Sequence, residues 1–201
     1  MSRLNRWVRP AALALAAAAA TVPVGQNHLV VTGPQMEDED HAAVVEAGLG
    51  RSGTTLTVLA CLDTERGRWA VANVGDSRVY LRPVGSPVLQ QLTVDHSAVQ
   101  MLVDAGELTP AEARVHPRRN VITRALGSRE ALTVDVAEIP LASGDLVLLC
   151  SDGLTGELLD EEIRALIDDA DTLEDALEKL IGAALWRGGR DNITAVLVRI
   201  P

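Results

Sequence analysis

Three aspartates stand at predicted turns where a strand begins or ends, and carboxylates in such places are candidate metal ligands. Asp76 lies in the turn 75–77, Asp152 follows the apolar run 146–150, and Asp191 precedes the last predicted strand. Strand ends hold side chains rigidly and leave them open to solvent, as metal ligands require. Because these aspartates have no Cys or His beside them in the sequence, their oxygens would select Mg²⁺ or Mn²⁺ over Zn²⁺.

The strands that carry Asp152 and Asp191 decide whether these two carboxylates meet. If the strands are antiparallel neighbours, both side chains reach the same edge of the sheet. Asp145 lies ~23 Å before Asp152 on an extended strand, at about 3.3 Å per residue, so it cannot share an ion with Asp152. A purely structural role in a turn is the alternative for each aspartate, because Gly-Asp and Asp-Gly steps are common in turns.

The elements that must position these aspartates follow from apolar patterning. Runs of β-branched and apolar residues predict strands at 54–62, 68–74, 78–81, 88–92, 132–139, 145–150 and 192–200. Apolar residues at helical spacing predict helices at 96–105, 160–168 and 172–186, and a capping box at 109–112 starts another short helix. The run 146–150 is apolar without alternation, which predicts burial of both its faces. The pattern favours mixed antiparallel sheets with helices packed outside.

Composition and charge exclude several functional classes. The chain has 201 residues, 47% of them hydrophobic, which suits one domain of about 150 residues with an appendage. Its formal net charge of −10 repels nucleic-acid backbones and anionic membranes, so action on phosphates requires bound cations. Aromatic residues make up 2%, so stacking platforms for bases or sugars are absent. Cys61 and Cys150 sit in apolar runs and are predicted to be buried thiols without a disulfide.

The sequence divides into three parts. Residues 1–25 have a basic start and an Ala-rich run, typical of a signal or membrane anchor; a surface helix and a misassigned start are the alternatives. Residues 26–49 contain Glu37 to Asp40 and are predicted to be an acidic linker or helix. Residues 50–201 form the folded domain. We expect a cytoplasmic protein, or an exported or membrane-anchored one if residues 1–25 act as a signal.

Six motifs in the body occur in a fixed order and resemble those of a known family. They are Gly53-Thr54-Thr55-Leu56-Thr57, Asn73-Val74-Gly75-Asp76-Ser77-Arg78, Leu92-Thr93-Val94-Asp95-His96-Ser97, the run from His116 to Gly127, Ser151-Asp152-Gly153-Leu154, and Gly188-Gly189-Arg190-Asp191-Asn192. Over residues 50–201 the chain resembles the bacterial branch of the metal-dependent protein serine/threonine phosphatases, the type 2C or PPM family.

The resemblance implies a fold, a reaction and a set of site residues. It implies an α+β fold of two stacked antiparallel β-sheets flanked by helices, an αββα sandwich. It implies hydrolysis of phosphoserine and phosphothreonine in proteins by a water activated by two or three Mn²⁺ or Mg²⁺ ions. Phosphorylated proteins and a serine/threonine kinase are the implied partners. Asp152 and Asp191 correspond to ligands of one catalytic metal, and Asp76 with Asp152 to ligands of a third, weaker metal. No other catalytic residue is implied, and the family's substrate flap corresponds to a segment containing His96, His116, Arg118 and Arg119.

The sequence departs from the family upstream of Gly53. The family's Asp-Gly-x-Gly-Gly turn, whose aspartate bridges two metals, does not occur in this sequence. The chain therefore resembles an N-terminally incomplete family member, and we expect it to lack the first strands and part of one helical layer. The alternative function is that of a catalytically impaired phosphatase-like module that binds a partner or a phosphoprotein.

Structural roles are the first expectation for three other charged residues. Arg78 is predicted to pair with Asp76 across the turn rather than to clamp a phosphate. His116 precedes a proline and is predicted to be an exposed loop residue rather than a general acid. His96 is a candidate cap of the helix that follows it.

Overall fold

The computed structural model describes residues 27–32, 53–63, 65–127 and 132–201. These residues contain eight strands: β1 (Asn27–Thr32), β2 (Thr54–Asp63), β3 (Arg68–Val74), β4 (Arg78–Arg82), β5 (Gln90–Gln91), β6 (Asp135–Pro140), β7 (Leu146–Cys150) and β8 (Ala195–Arg199). They form two four-stranded sheets, sheet A with the order β1-β2-β3-β6 and sheet B with the order β5-β4-β7-β8.

The described helices are short, except for the last. They are α1 (Ala98–Asp104), α2 (Pro110–Val115), α3 (Asp152–Thr155), α4 (Asp160–Asp168) and α5 (Leu173–Trp186). The predicted capping box is present at α2, where the Thr109 side chain accepts from the Glu112 amide and the Glu112 carboxylate accepts from Thr109. Within the described part of the chain, no helix combines the length and the apolar character that a membrane span requires.

The two sheets stack through an apolar interior. Val71 of sheet A and Val79, Val147 and Leu149 of sheet B belong to one buried cluster between the sheets. Alternate residues of β7 point the other way, where Leu148 packs in a second cluster with the helices. Both faces of β7 are thus buried, as its unbroken apolar run predicts.

Helices α4 and α5 cover the outer face of sheet B. Ile163 of α4 and Leu180 of α5 are fully buried against Tyr80 and Leu148 of the sheet. On the outer face of sheet A, Leu56 and Val58 pack with Leu126 and Leu132. The predicted α+β sandwich of stacked sheets and outer helices is confirmed.

Two connections depart from simple antiparallel pairing of consecutive strands. The turn at 75–77 joins β3 of sheet A to β4 of sheet B and so carries the chain between the layers. Strand β1 pairs with β2 in the parallel sense and is the exception to the otherwise antiparallel pairing of the described strands. It also lies inside the segment 26–49 that was predicted to be a linker or helix. Residues 1–25 and 33–49 lie outside the described residues.

Candidate metal centre

The three aspartates predicted to be metal ligands lie at the same end of sheet B. The last pair between β4 and β7 is Arg78 with Cys150. Asp76 comes two residues before Arg78 and Asp152 two residues after Cys150, so both lie just beyond the same end of this strand pair. Strand β8 is the antiparallel neighbour of β7 on its other side and begins at this same end, just after Asp191. The condition under which Asp152 and Asp191 reach the same edge, that their strands are antiparallel neighbours, is therefore met.

Three hydrogen bonds of Ser151, made by its amide and its hydroxyl, join the segments that hold Asp152 and Asp191. The Ser151 amide donates to the Thr194 carbonyl over 3.0 Å, and the Thr194 amide donates to Ser151 Oγ over 3.0 Å. Ser151 Oγ in turn donates to the carbonyl of Asn192 over 3.0 Å. The residue before Asp152 is therefore tied to the residue after Asp191, and we call this contact the Asp152–Asp191 junction.

Close packing at Gly153 tightens this junction. A Cβ added at Gly153 would lie 2.3 Å from the carbonyl oxygen of Asn192. Only glycine allows the backbone after Asp152 to approach the backbone after Asp191 so closely. The glycine in the Asp-Gly step is thus required by contact between two chain segments, as well as by the turn.

An ion pair fixes the residue before Asp191. Both carboxylate oxygens of Glu157 accept from the Arg190 guanidinium, at 2.9 and 3.0 Å, and one of them also accepts from the Arg190 amide. The hydrogen bonds from Arg190 hold the pKa of Glu157 below its usual range. Because Glu157 closely follows the helix that begins at Asp152, the pair is a second tie across the junction.

Asp76 is held in a turn that packs against β2. Gly75 has φ +108°, and a Cβ there would lie 2.2 Å from Cγ2 of Thr55. The hydroxyls of Thr55 and Ser77 are hydrogen-bonded at 3.0 Å, and Asn73 Nδ2 donates to the Gly75 carbonyl over 3.1 Å. Asp76 is 7% exposed, so the turn presents this carboxylate from a rigid and largely buried position.

His96 does not belong to an exposed substrate surface. It is 6% exposed, and its ring contacts Gly75 on one side and Asp135 on the other. Its predicted role as a helix cap is also wrong, because the cap of α1 is Ser97, whose side chain accepts from the Gln100 amide. The histidine is instead a buried residue next to the turn that carries Asp76.

Arg78 pairs with Asp95 rather than with Asp76. Its guanidinium makes a two-pronged contact with Asp95, with Nη2 at 2.7 Å from Oδ2 and Nε at 2.8 Å from Oδ1. Burial acts to lower the pKa of Arg78, but the hydrogen bonds and charge of Asp95 outweigh it and raise the pKa. The predicted partner of Arg78 is therefore wrong, because its side chain points along the sheet toward the 92–97 loop.

The other predicted flap residues lie on the segment around α2. His116 Nδ1 accepts from the Arg118 amide over 3.1 Å, which gives the imidazole a local loop contact. Arg118 and Arg119 are exposed. Arg114 anchors this segment near the site, because its Nη2 donates to the carbonyls of Thr155 and Leu158 over 3.0 and 3.1 Å.

Sequence reasoning missed the residues that support the aspartates. Asp135 contacts His96 across 39 residues of sequence, and Arg114 contacts Thr155 across 41. No local spacing signals such contacts, because they arise only when separate elements pack. Asn73 did carry a signal, since its position two residues before Gly75 suits a side-chain bond to the turn.

The donor set at the Asp152–Asp191 junction suits one divalent cation. Among the described residues, no group of three or more His, Cys, Asp and Glu side chains is close enough together to hold a metal. Mg²⁺, however, keeps several waters and is held in many enzyme sites by one or two carboxylates with substrate phosphates. Asp152 and Asp191 at the junction match that donor set, and Oδ1 of Asp152 and of Asp76 are both buried.

Comparison with known proteins places this geometry in a family. The model of the protein phosphatase 2C family matches residues 28–102, and that of the stage II sporulation protein E (SpoIIE) family matches residues 95–201. Protein phosphatase PhpP of Streptococcus pneumoniae is 43% identical over 146 residues, 73% of this chain and 57% of that protein. The chain thus spans somewhat more than half the length of this relative.

Solved structures give the same result. The serine/threonine phosphatase of S. agalactiae superposes with a TM-score of 0.73 at 36% identity, over 82% of this chain and 67% of that one. The catalytic domain of the phosphatase PstP in complex with two manganese ions superposes with a TM-score of 0.68 at 34% identity, over 78% of this chain and 65% of that one. The chain therefore belongs to the type 2C, or PPM, family of protein serine/threonine phosphatases.

Proposed function

We propose that this chain hydrolyses phosphoserine and phosphothreonine esters in proteins, with Mn²⁺ or Mg²⁺ held at the Asp152–Asp191 junction. The observation that carries the proposal is the junction itself, where Ser151 and Thr194 join the two carboxylate-bearing segments. Family membership supports the reaction class, and the manganese in the related PstP structure supports the choice of cation.

The chain's own residues provide position and charge. Asp152 and Asp191 would hold the cation, and the ties at Ser151 and Arg190 keep their backbones from moving apart. When bound, the metal supplies a Lewis acid that lowers the pKa of a coordinated water and offsets phosphoryl charge. Asp76 lies on the same sheet end and would bind a further cation there.

The net charge of the chain makes a cation necessary for this function. With a formal charge of −10, the protein repels a phosphorylated peptide at long range. Asp152 and Asp191 would hold a divalent ion that offsets their two negative charges and supplies a Lewis-acid contact for the phosphate. The proposal extends to a serine/threonine kinase that phosphorylates the same proteins, as the resemblance implies.

We also propose a cytoplasmic location. Cys61 and Cys150 are both free thiols, which suits a reducing compartment. Cell fractionation with an antibody against the domain tests the location, and recovery in the membrane or culture medium would contradict it.

The test is turnover of a phosphothreonine peptide with Mn²⁺ by the whole chain and by single isosteric variants. We expect Asp152→Asn and Asp191→Asn each to lower kcat at least 100-fold. Asp169→Asn is the matched control, because Asp169 is an exposed carboxylate that pairs with Lys179 on the helical layer. Its turnover is expected to equal that of the wild type.

Two results would overturn the proposal. Equal turnover by the wild type and Asp152→Asn would mean that the junction does not carry the reaction. Binding of Mn²⁺ and of the phosphopeptide without turnover would identify the chain as a phosphatase-like binding module.

A further inference from the structure

We propose that His96 is a positioning residue that holds the peptide of Gly75, and through it the carboxylate of Asp76, in place for cation binding. The inference rests on the proposed function, because it concerns how one of the proposed cation ligands is held. It gives a role to a buried histidine that the ligand set does not include.

His96 and Gly75 exchange two hydrogen bonds. The Gly75 amide donates to Nδ1 of the His96 ring over 3.1 Å, and the His96 amide donates to the Gly75 carbonyl over 2.9 Å. Asn73 Nδ2 donates to the same carbonyl over 3.1 Å. Both polar groups of the residue before Asp76 are therefore occupied, and the turn cannot rotate without breaking these bonds.

These contacts decide which ring nitrogen carries the proton. Because Nδ1 accepts from the Gly75 amide, the proton of the neutral ring is on Nε2. Nε2 then donates to Oδ2 of Asp135, which lies 2.9 Å away. Arg124 Nη1 donates to the other oxygen, Oδ1, over 2.8 Å, and lies 3.1 Å from Nε2 itself. Asp135 thus orients the ring that orients the Gly75 peptide.

The arrangement resembles the outer shell of a metal site. A carboxylate that accepts from an imidazole fixes the tautomer and angle of that ring, and loss of such a partner costs 10–100-fold in metal affinity in other proteins. In this protein the imidazole holds the peptide of Gly75, the residue before the proposed ligand Asp76, and not a ligand side chain. Asp135 begins β6 and pairs in register with Asn73, so the whole arrangement is anchored to sheet A.

Two substitutions at position 96 test the contact with Gly75 and the contact with Asp135 separately. An asparagine at position 96 places a polar atom near the position of Nδ1 and can still accept from the Gly75 amide, but it cannot reach Asp135. A glutamine places its amide nitrogen near the position of Nε2 and keeps the bond to Asp135, while the acceptor for Gly75 is lost. Both variants lose the ring, so a difference between them reports the Gly75 contact.

The readout is Mn²⁺ binding, measured by the electron paramagnetic resonance of free Mn²⁺. The relevant binding event is the Mn²⁺ binding that the wild type shows and the Asp76→Asn variant lacks. We expect His96→Gln to weaken that event about 10-fold or more, and His96→Asn to stay within about threefold of the wild type. We also expect hydrogen exchange of the Gly75 amide to accelerate in His96→Gln only.

The outcomes distinguish this inference from the proposed function. Equal Mn²⁺ affinity of His96→Gln and His96→Asn, or a wild type with no event sensitive to Asp76→Asn, overturns the role of His96. If the histidine variants behave as expected but the wild type has no phosphatase activity, the proposed function fails and the positioning role stands. If the histidine variants do not fold, hydrogen exchange of the Gly75 amide in the wild type replaces them, because this amide donates to His96 Nδ1. Exchange as fast as that of an unprotected amide would then contradict the inference.

Discussion

Replacement of Gly153 by alanine tests how closely the Asp152–Asp191 junction is packed. The added Cβ would lie 2.3 Å from the Asn192 carbonyl oxygen and 2.9 Å from its carbonyl carbon, and both are backbone atoms. To bring the first contact to 3.0 Å, the two segments have to separate by at least 0.7 Å. Such overpacking costs about 1–3 kcal/mol of unfolding free energy. For a chain of this size it lowers Tm by roughly 2–4 °C per kcal/mol.

The same displacement also weakens cation binding. Metal–ligand distances in proteins hold to about ±0.2 Å, and a separation of 0.7 Å between the segments of Asp152 and Asp191 exceeds that tolerance. We therefore expect Gly153→Ala to weaken Mn²⁺ binding about 10-fold or more. The separation would also break the bond from Ser151 Oγ to Asn192.

Urea unfolding and Mn²⁺ titration of the same samples measure the two effects. Gly182→Ala is the matched control, because a Cβ at Gly182 in α5 meets nothing within 4 Å. Removing a glycine from a helix interior stabilises by about 0.5–1 kcal/mol, and Mn²⁺ affinity should not change. If Gly153→Ala equals Gly182→Ala in both measurements, the close contact at the junction is refuted.

Three further predictions concern groups around the site. Replacing Asp95 by asparagine removes the two-pronged partner of Arg78, whose side chain is 20% exposed, and leaves the more distant carboxylate of Asp160, at 3.9 Å. It should cost about 1.5–3 kcal/mol in urea unfolding; a loss below about 0.5 kcal/mol would contradict the pairing. Burial raises the pKa of the Cys150 thiol to about 12, so a thiol reagent at pH 8 should modify Cys150 only in urea, and rapid labelling of the folded protein would refute its burial. The hydrogen bond from His96 lowers the pKa of Asp135 in the folded state. Its stabilising effect is therefore present above the unfolded pKa, about 3.9, and lost as the pH falls through the lower folded value. Asp135→Asn should remove this part of the acid sensitivity, and identical unfolding curves of both proteins from pH 5 to 2 would argue against it.

Most elements of the fold could be predicted because their signals are local. The strand 68–74 and the helix 160–168 have the predicted bounds, since alternation and helical spacing are properties of neighbouring residues. The short helix at Asp152–Thr155 was missed. Four residues carry too little periodicity to indicate a helix, and its packing against β7 decides its form.

The candidate site likewise has features that the sequence predicts and features that it does not. The residue types Asp76, Asp152 and Asp191, and their places at strand ends, follow from sequence motifs. Their supports do not: Arg78 pairs with Asp95 instead of the nearby Asp76, because the 92–97 loop packs along β4, where the Val79 amide donates to Thr93 Oγ1. A short sequence separation suggested one contact, and a loop distant in sequence supplied the partner instead.

The order of motifs along the chain was enough to identify the family, the carboxylate chemistry and the sandwich of sheets, since each depends on residue types and short spacings. Only the tertiary structure decides which side chains hold the aspartates in place. The bond from His96 to Asp135 and the approach of Gly153 to Asn192 join residues 39 positions apart in either case. Such contacts depend on the relative placement of whole strands and loops, and hydrophobic burial across both sheets sets that placement.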